Sequence, residues 1–339
     1  MAVLDGPGPV VILPHDNPDP DALASAATLQ YIAKELAGKD VVIALGGIVG
    51  RAENRAMLTY LNITLVPVGE LEFGAEARVV LVDTQPGRSN NCLPEGIVPA
   101  AVIDHHPTYG DYNGVPFCDL RDGYGATSTI LTEYLQESGV PVDAKIATAL
   151  FYGIAAETQD LGREAGPADI AASHFLYPYA NKRRLAKIEN ARVPREYFAL
   201  FRDAIENAAI YGKVVVSDLG EVRYPDMVAE VADFLLRLDA VEWAVALAGY
   251  GKWLRLDADH RPQRQRRRAA PQGAGKPLGR RARSDRRWPG AHRQRSDQPR
   301  EGRPARQRAR AEGAENKRGE RRAPGRVSGR FTAPVPADP

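Results

Sequence analysis

The sequence predicts an α/β fold: a parallel sheet, then helices, then a truncated second α/β piece, and last a disordered basic tail. Three observations carry this. Short, wholly apolar runs at 10–13, 79–82 and 100–103 read as strands buried on both faces. Helix-patterned segments alternate with strands, which is how parallel strands are connected. Beyond residue 251 apolar residues become scarce: 252–339 contain only five Val, Ile, Leu or Met. Such a segment cannot bury enough surface to offset the entropy of ordering its backbone.

Taken in order, the strand at 10–13 feeds a turn-rich loop, His15-Asp16-Asn17-Pro18-Asp19-Pro20-Asp21. Asp19 before Pro20 reads as N-cap and first helical residue, opening a helix over 21–36 with Leu23, Ala27, Tyr31 and Leu36 on its apolar face. A strand at 41–45, a helix at 52–61 and a brief strand at 65–68 follow. The runs at 79–82 and 100–103 stop at Asp83 and Asp104. Helices are predicted at 127–138, 143–157, 169–180 and 194–209. A second α/β piece then starts, with a strand at 213–217, a hairpin-like turn at 218–220, a helix at 226–238 and a strand at 243–247. The expected organisation is a first domain over 1–190, a helical linker over 191–212, a partial second domain over 213–251 and the tail over 252–339.

Charge divides the chain in the same place. Residues 252–339 carry 26 Lys+Arg against 9 Asp+Glu, and residues 1–251 carry 19 against 34. An acidic body is thus joined to a basic tail, and each half has its own electrostatics. Cys92 and Cys118 have no CxxC spacing, which excludes a zinc knuckle or a dithiol redox motif and leaves two reduced thiols. The first residues lack the basic and apolar regions of a signal peptide, and no run approaches the roughly 18 apolar residues of a membrane helix. The expectation is a soluble, cytoplasmic protein without membrane contact.

Parallel sheets bind ligands beyond the carboxyl ends of their strands. His15, Asp83 and Asp104 each fall just past such an end. Residues 15–21 hold three donors, His15, Asp19 and Asp21, and Asp104-His105-His106 adds more. Carboxylates with some imidazole suit Mn²⁺ or Mg²⁺ better than structural zinc. No lysine or arginine lies inside these motifs, so converging carboxylates require a divalent cation as charge partner. Taken singly, each residue has an ordinary reading. Asp19 is a helix cap, Asp83 a turn residue, and His105 and His106 are surface histidines.

Together, His-x-Asn-Pro-Asp-x-Asp at 15–21, Asp83 in Leu-Val-Asp-Thr, Asp104-His105-His106 and Tyr-Gly-Ile-Ala-Ala-Glu-Thr at 152–158 resemble the four motifs of the DHH phosphoesterases, in order and spacing. Gly-Ala-Thr-Ser at 125–128 is similar to the start of a family helix, and the resemblance runs from about Val10 to Gly251. Within the family the likeness is to the RecJ-related nano-RNase/pAp-phosphatase group. The resemblance implies two divalent metal ions, Mn²⁺ ahead of Mg²⁺. It implies that His15 and Asp19 bind one ion, that Asp21 and His105 bind the other, and that Asp83 bridges both. His106 would face the phosphate as a donor, and Asp104 would orient a histidine. The family's fourth motif has Asp where this chain has Glu157, with Asp160 as the alternative ligand. The implied substrates are phosphodiester or phosphomonoester bonds of short oligoribonucleotides, 3′-phosphoadenosine 5′-phosphate (pAp) and linear or cyclic dinucleotides. A homodimer is left open.

In that family a second domain closes over the metals with a Gly-Gly-His loop. No Gly-Gly-His follows residue 251 here; His260 and His292 stand in Asp-His-Arg and Ala-His-Arg. One reading makes the tail a basic extension that attracts nucleic acid through its phosphates. The favoured reading is a slip of the reading frame near Lys252, because the break interrupts a half-built sheet instead of falling in a linker. Hydrolysis is then expected to be weak or absent in this polypeptide. The alternative function is a non-catalytic nucleic-acid-binding protein that uses the basic tail.

Overall fold

The computed structural model describes residues 8–74, 76–251 and 253–260. All of them belong to one compact unit, Met1–Arg267. Of the disordered tail expected over 252–339, residue 252 and residues 261–339 lie outside the described residues.

The apolar runs become six strands: β1 (Val10–Leu13), β2 (Val41–Leu45), β3 (Val66–Pro67), β4 (Arg78–Val82), β5 (Ala101–Asp104) and β6 (Phe117–Leu120). They form one sheet in the order β3-β2-β1-β4-β5-β6. Every neighbouring pair is parallel. The strand order reverses between β1 and β4, and that switch point opens a crevice at the carboxyl ends of both strands.

Six helices follow or interleave: α1 (Pro20–Ala37), α2 (Ala52–Leu61), α3 (Thr127–Ser138), α4 (Ala144–Glu157), α5 (Pro167–Leu176) and α6 (Lys182–Glu189). On one face of the sheet Val10, Ile12, Val80 and Val82 share a core with Leu23, Ile130, Leu150 and Ile154 from α1, α3 and α4. On the other, Val11, Leu13, Val79, Leu81 and Val102 meet Leu71, Phe73, Leu93 and Ile97 from connecting segments. Both faces are dry, which is why the strands read as unbroken apolar runs. Asp19 caps α1 by accepting from the Ala22 amide at 2.9 Å, Pro20 opens the helix, and Gly38 closes it in the left-handed conformation at φ 60°.

A second layer holds α7 (Arg195–Glu206), β7 (Ala209–Tyr211), β8 (Val214–Glu221), α8 (Asp226–Leu235), β9 (Trp243–Tyr250) and β10 (Trp253–His260). Its strand order is β10-β9-β8-β7. The β8/β9 pair is parallel across α8, and the two outer pairs are antiparallel. Val215, Val228, Val231, Ala244 and Ala246 form its core.

Four expectations are corrected here. The sheet does not stop at residue 251, because β10 pairs along the whole length of β9, from Trp253↔Tyr250 to His260↔Trp243. Residues 218–220 are not a hairpin turn; they lie within β8, where the register with β9 shifts between Asp218 and Glu221. Residues 191–212 are no simple linker, since Leu200, Phe201 and Ala204 of α7 pack into the second core and β7 is the sheet's edge. The helix expected over 169–180 is α5 at Pro167–Leu176, and a separate α6 is capped by Asn181, whose side chain accepts from the Arg183 and Arg184 amides.

Among the described residues, no helix is long and apolar enough to cross a membrane.

Candidate metal centre

The ends of β1, β4 and β5 deliver His15, Asp83 and the 104–106 segment to the crevice, and the first turn of α1 delivers Asp19 and Asp21. Asp83 is the meeting point. Its Oδ2 lies 3.8 Å from His15 Nε2, and His15 Nε2 lies 3.7 Å from Asp19 Oδ2. Its Oδ1 lies 3.7 Å from His105 Nε2 and 3.8 Å from His106 Nδ1, and His105 Nε2 is 3.9 Å from Asp21 Oδ2. Two groups, His15-Asp19-Asp83 and Asp83-His105-His106, thus share one carboxylate, and each could hold a metal ion.

The backbone sets this up. Asp83 takes a left-handed conformation at φ 59° immediately after β4, uncommon for a residue with a side chain and typical of functional sites. Asp21, 1% exposed, accepts the Thr127 and Ser128 amides at 2.7 Å each, so the positive end of α3 holds its carboxylate. Thr127 Oγ1 donates to Asp83 Oδ1 at 2.8 Å. Asp169 braces the loop ahead of α3 by accepting from the Gly125 amide and from Thr129 Oγ1.

Each histidine ring is anchored through its Nδ1. His105 Nδ1 lies 3.1 Å from the Tyr124 carbonyl oxygen, which can only accept, so the proton sits on Nδ1. Its Nε2 then presents a lone pair into the cluster, buried and without a hydrogen-bond partner. A metal ligand secured by a carbonyl on its other nitrogen has this form. His106 Nδ1 is 2.8 Å from Asp104 Oδ1 and donates to it. Asp104, 1% exposed, is in turn held by Gln85 Nε2 at 2.5 Å.

The charges fit a cation. Burial, and then neighbouring Asp83, push the Asp21 carboxyl up to about 7. Burial and Asp19 push Asp83 upward as well. Glu157 rises to about 9 through burial and the charges of Asp19, Asp21 and Asp83. Burial lowers His15, but the nearby Asp19 and Asp83 carboxylates together outweigh it and lift it to about 9. Donor atoms 3.7–3.9 Å apart are too distant for hydrogen bonds. Two ligands each about 2.1 Å from one ion stand at most about 4.2 Å apart, so these spacings suit a shared ion. The donor set of carboxylates and imidazoles matches Mn²⁺ or Mg²⁺.

Of the residues expected from the sequence, His15, Asp19, Asp21, Asp83, His105 and His106 converge within contact distance. Asp104 stands behind His106. Glu157, at the end of α4, lines with His15 and Asp19 a cavity of about 360 Å³ that Asp160 does not line. Gln159, Asp160 and Leu161 take left-handed backbone from two residues past Glu157. Sequence reasoning missed Gln85, and it read Thr127 only as part of the helix-opening Gly-Ala-Thr-Ser, with no role at the centre; neither type carries a metal signature. The only available signal was position, two residues past Asp83 and at the opening of α3.

Residues 9–154 match the DHH family, N-terminal domain. An uncharacterized protein of Methanocaldococcus jannaschii is 33% identical over 251 residues, 74% of this chain and 52% of the relative. A probable manganese-dependent inorganic pyrophosphatase of Enterococcus faecalis is 28% identical over 149 residues, 44% of this chain and 48% of that protein. The chain spans about half the length of these two curated relatives. Among solved structures, an exopolyphosphatase-related protein from Bacteroides fragilis superposes with a TM-score of 0.60 at 14% identity, covering 75% of this chain and 79% of that one, a likeness of fold.

Proposed function

We propose, from the match of residues 9–154 to the DHH family N-terminal domain and from the geometry of the centre, that this chain is a divalent-metal-dependent phosphoesterase that cleaves phosphate esters of short nucleotides. The observation that carries this is the single Asp83 carboxylate shared by two imidazole-carboxylate groups. His15 and Asp19 would hold one ion, Asp21 and His105 the second, and Asp83 both, with Glu157 as a further ligand on the cavity side. Manganese is the ion named for the pyrophosphatase relative, and magnesium is the second choice. When bound, such a pair supplies positive charge to the phosphate and acidity to a water.

The chain's own residues do the rest. Bonding to Asp104 lifts His106 to about 9, which favours the protonated ring. With Nδ1–H committed to Asp104, Nε2–H is free to donate to a phosphoryl oxygen, and the side chain is 46% exposed on the open side of the crevice. Asp104 fixes the ring without touching substrate.

The expected substrates are short oligoribonucleotides, pAp, and linear or cyclic dinucleotides. The test is a panel of these with inorganic pyrophosphate, each with Mn²⁺ and with chelator. Metal-dependent release of nucleotide products that Asp83→Ala abolishes is the expected outcome. Turnover of pyrophosphate alone would reassign the substrate. No metal-dependent hydrolysis of any member would sink the reading.

A further inference from the structure

The cavity beside the metal cluster poses a charge problem. Six carboxylates line it against two guanidinium groups, Arg51 and Arg163, although a phosphate ester brings negative charge of its own. Arg163 faces Glu164 at 3.8 Å. Arg51 is placed differently. It precedes α2 at the N-cap position, lines this cavity, and also lines a neighbouring one of about 290 Å³ with Arg55, Tyr197, Arg223 and Tyr224. On one side its charge helps hold the Asp19 carboxyl low. On the other, its Nη2 lies 3.6 Å from Asp233 Oδ2, with the two side chains 29% and 49% exposed.

Asp233 belongs to a stripe. Asp226, Glu230 and Asp233 recur at helical spacing along one face of α8. Asp226 Oδ2 accepts the Gly50 amide at 3.0 Å, Glu230 accepts from Tyr197, and Asp233 meets Arg51. Asp226 and Asp233 thus seat the second layer on the segment around Arg51, while the Glu230–Tyr197 bond lies within that layer. The Arg51–Asp233 pair is the looser of these contacts, too long for a hydrogen bond and half open to water, so it contributes little to stability. A phosphate offers more charge than a carboxylate, and oxygens spaced for a guanidinium fork.

We propose that Arg51 grips the phosphoryl oxygens of the substrate, and that Asp233 of α8 holds the guanidinium until phosphate displaces it. Occupancy of the crevice is thereby coupled to the docking of the second layer. The phosphoesterase reading supplies only the identity of the anion; the exchange of partners stands on Arg51 and Asp233.

The test is calorimetric titration of inorganic phosphate into the full chain loaded with Mn²⁺, with Mn²⁺ affinity measured separately for each variant. Arg51→Ala should weaken phosphate at least about tenfold, and Arg51→Lys, which keeps the charge and loses the fork, by less. Asp233→Asn should tighten phosphate, by up to about fivefold. Asp233→Asn should leave Mn²⁺ affinity unchanged, and phosphate is compared at saturating Mn²⁺ in every variant because Arg51 also acts on Asp19. Phosphate affinity of Arg51→Ala within about twofold of the parent overturns the proposal, as does an Asp233→Asn chain that binds phosphate more weakly, or a parent that binds none. If Arg51→Ala does not fold, Arg51→Lys and Asp233→Asn decide, since neither removes packing volume. Phosphate binding that follows this pattern in a chain hydrolysing no ester would refute the proposed reaction and leave the Arg51 site standing. Metal-dependent hydrolysis with an unchanged KM in Arg51→Ala would do the reverse.

Discussion

Replacing Gln85 by Leu tests whether the centre is held from behind. Gln85 is fully buried, and its side chain makes five polar contacts. Nε2 reaches Asp104 Oδ2 at 2.5 Å and the His106 and Pro107 carbonyls at 3.2 and 3.3 Å, while Oε1 accepts from the Tyr109 amide and the Tyr112 hydroxyl at 2.6 Å each. Leucine keeps most of the volume and none of the bonds. Tyr112 is half-buried and can turn to water, and the two carbonyl contacts are long, so two losses dominate. Asp104 is a buried carboxylate that loses a charge-assisted bond, about 2 kcal/mol, and the Tyr109 amide adds about 1 kcal/mol. Urea unfolding of the metal-free chain should therefore show a loss of about 3 kcal/mol. With Asp104 less firmly held, the His106 ring should titrate below about 9 by NMR. A stability loss under about 1 kcal/mol with unchanged His106 titration would show that Gln85 fills space and does not position the histidine.

Asp83→Asn keeps the shape, tolerates the left-handed backbone and accepts from Thr127, but removes the charge that burial and Asp19 oppose. Metal-free Asp83→Asn should melt higher than the parent, while the further rise that Mn²⁺ gives the parent should vanish; a variant still protected by Mn²⁺ refutes the bridging role. Mn²⁺ binding should release protons and tighten as pH rises from 6 to about 9. His15 at about 9, Asp21 at about 7 and Glu157 at about 9 bind protons in the metal-free chain and must lose them to ligate. Titrations in buffers of different ionisation enthalpy read this directly, and affinity that is flat across that range contradicts it. Gly50→Ala would set a methyl 2.5 Å from Asp226 Oδ2. Faster amide exchange along α8, with α1 unchanged, is the expected outcome, and unchanged exchange on α8 would mean that Asp226 does not dock the layer.

How much of this was legible depended on whether the signal was local. Strands buried on both faces print themselves as apolar runs, so β1, β2, β4 and β5 were readable within a residue or so. α2 and α3 were readable to the residue, and α4 carries its N-cap at Asp143. The edge strand β6, Phe-Cys-Asp-Leu, has exposed or half-exposed positions and no apolar run, and was invisible for that reason. β10 was missed differently. Leu254, Leu256 and Ala258 alternate with Arg255, Asp257 and Asp259, a two-residue period that averaging over the 88 residues of the basic segment concealed. At the centre, ligand-type residues at strand ends were readable because the chemistry restricts their types. Gln85, Thr127 and Asp169 were not, because they act through contacts with residues 19 to 44 positions away along the chain.

The same contacts explain why an apparently unfavourable site persists in the fold. Asp21 and Asp83 are buried carboxylates facing each other and Asp19, and Asp83 adds a left-handed backbone, so this cluster costs stability where Ile12 and Leu81 contribute it. The fold offsets part of the cost with donors fixed in advance: the α3 amides on Asp21 and the Thr127 hydroxyl on Asp83. None of these donors consumes the lone pair of His105 Nε2, and each leaves carboxylate oxygen directed into the cluster. The support thus lowers the cost of burying the anions without neutralising them. On the proposed reading, the remaining repulsion is relieved by the ions, so metal affinity and folding stability are one linked quantity at this crevice.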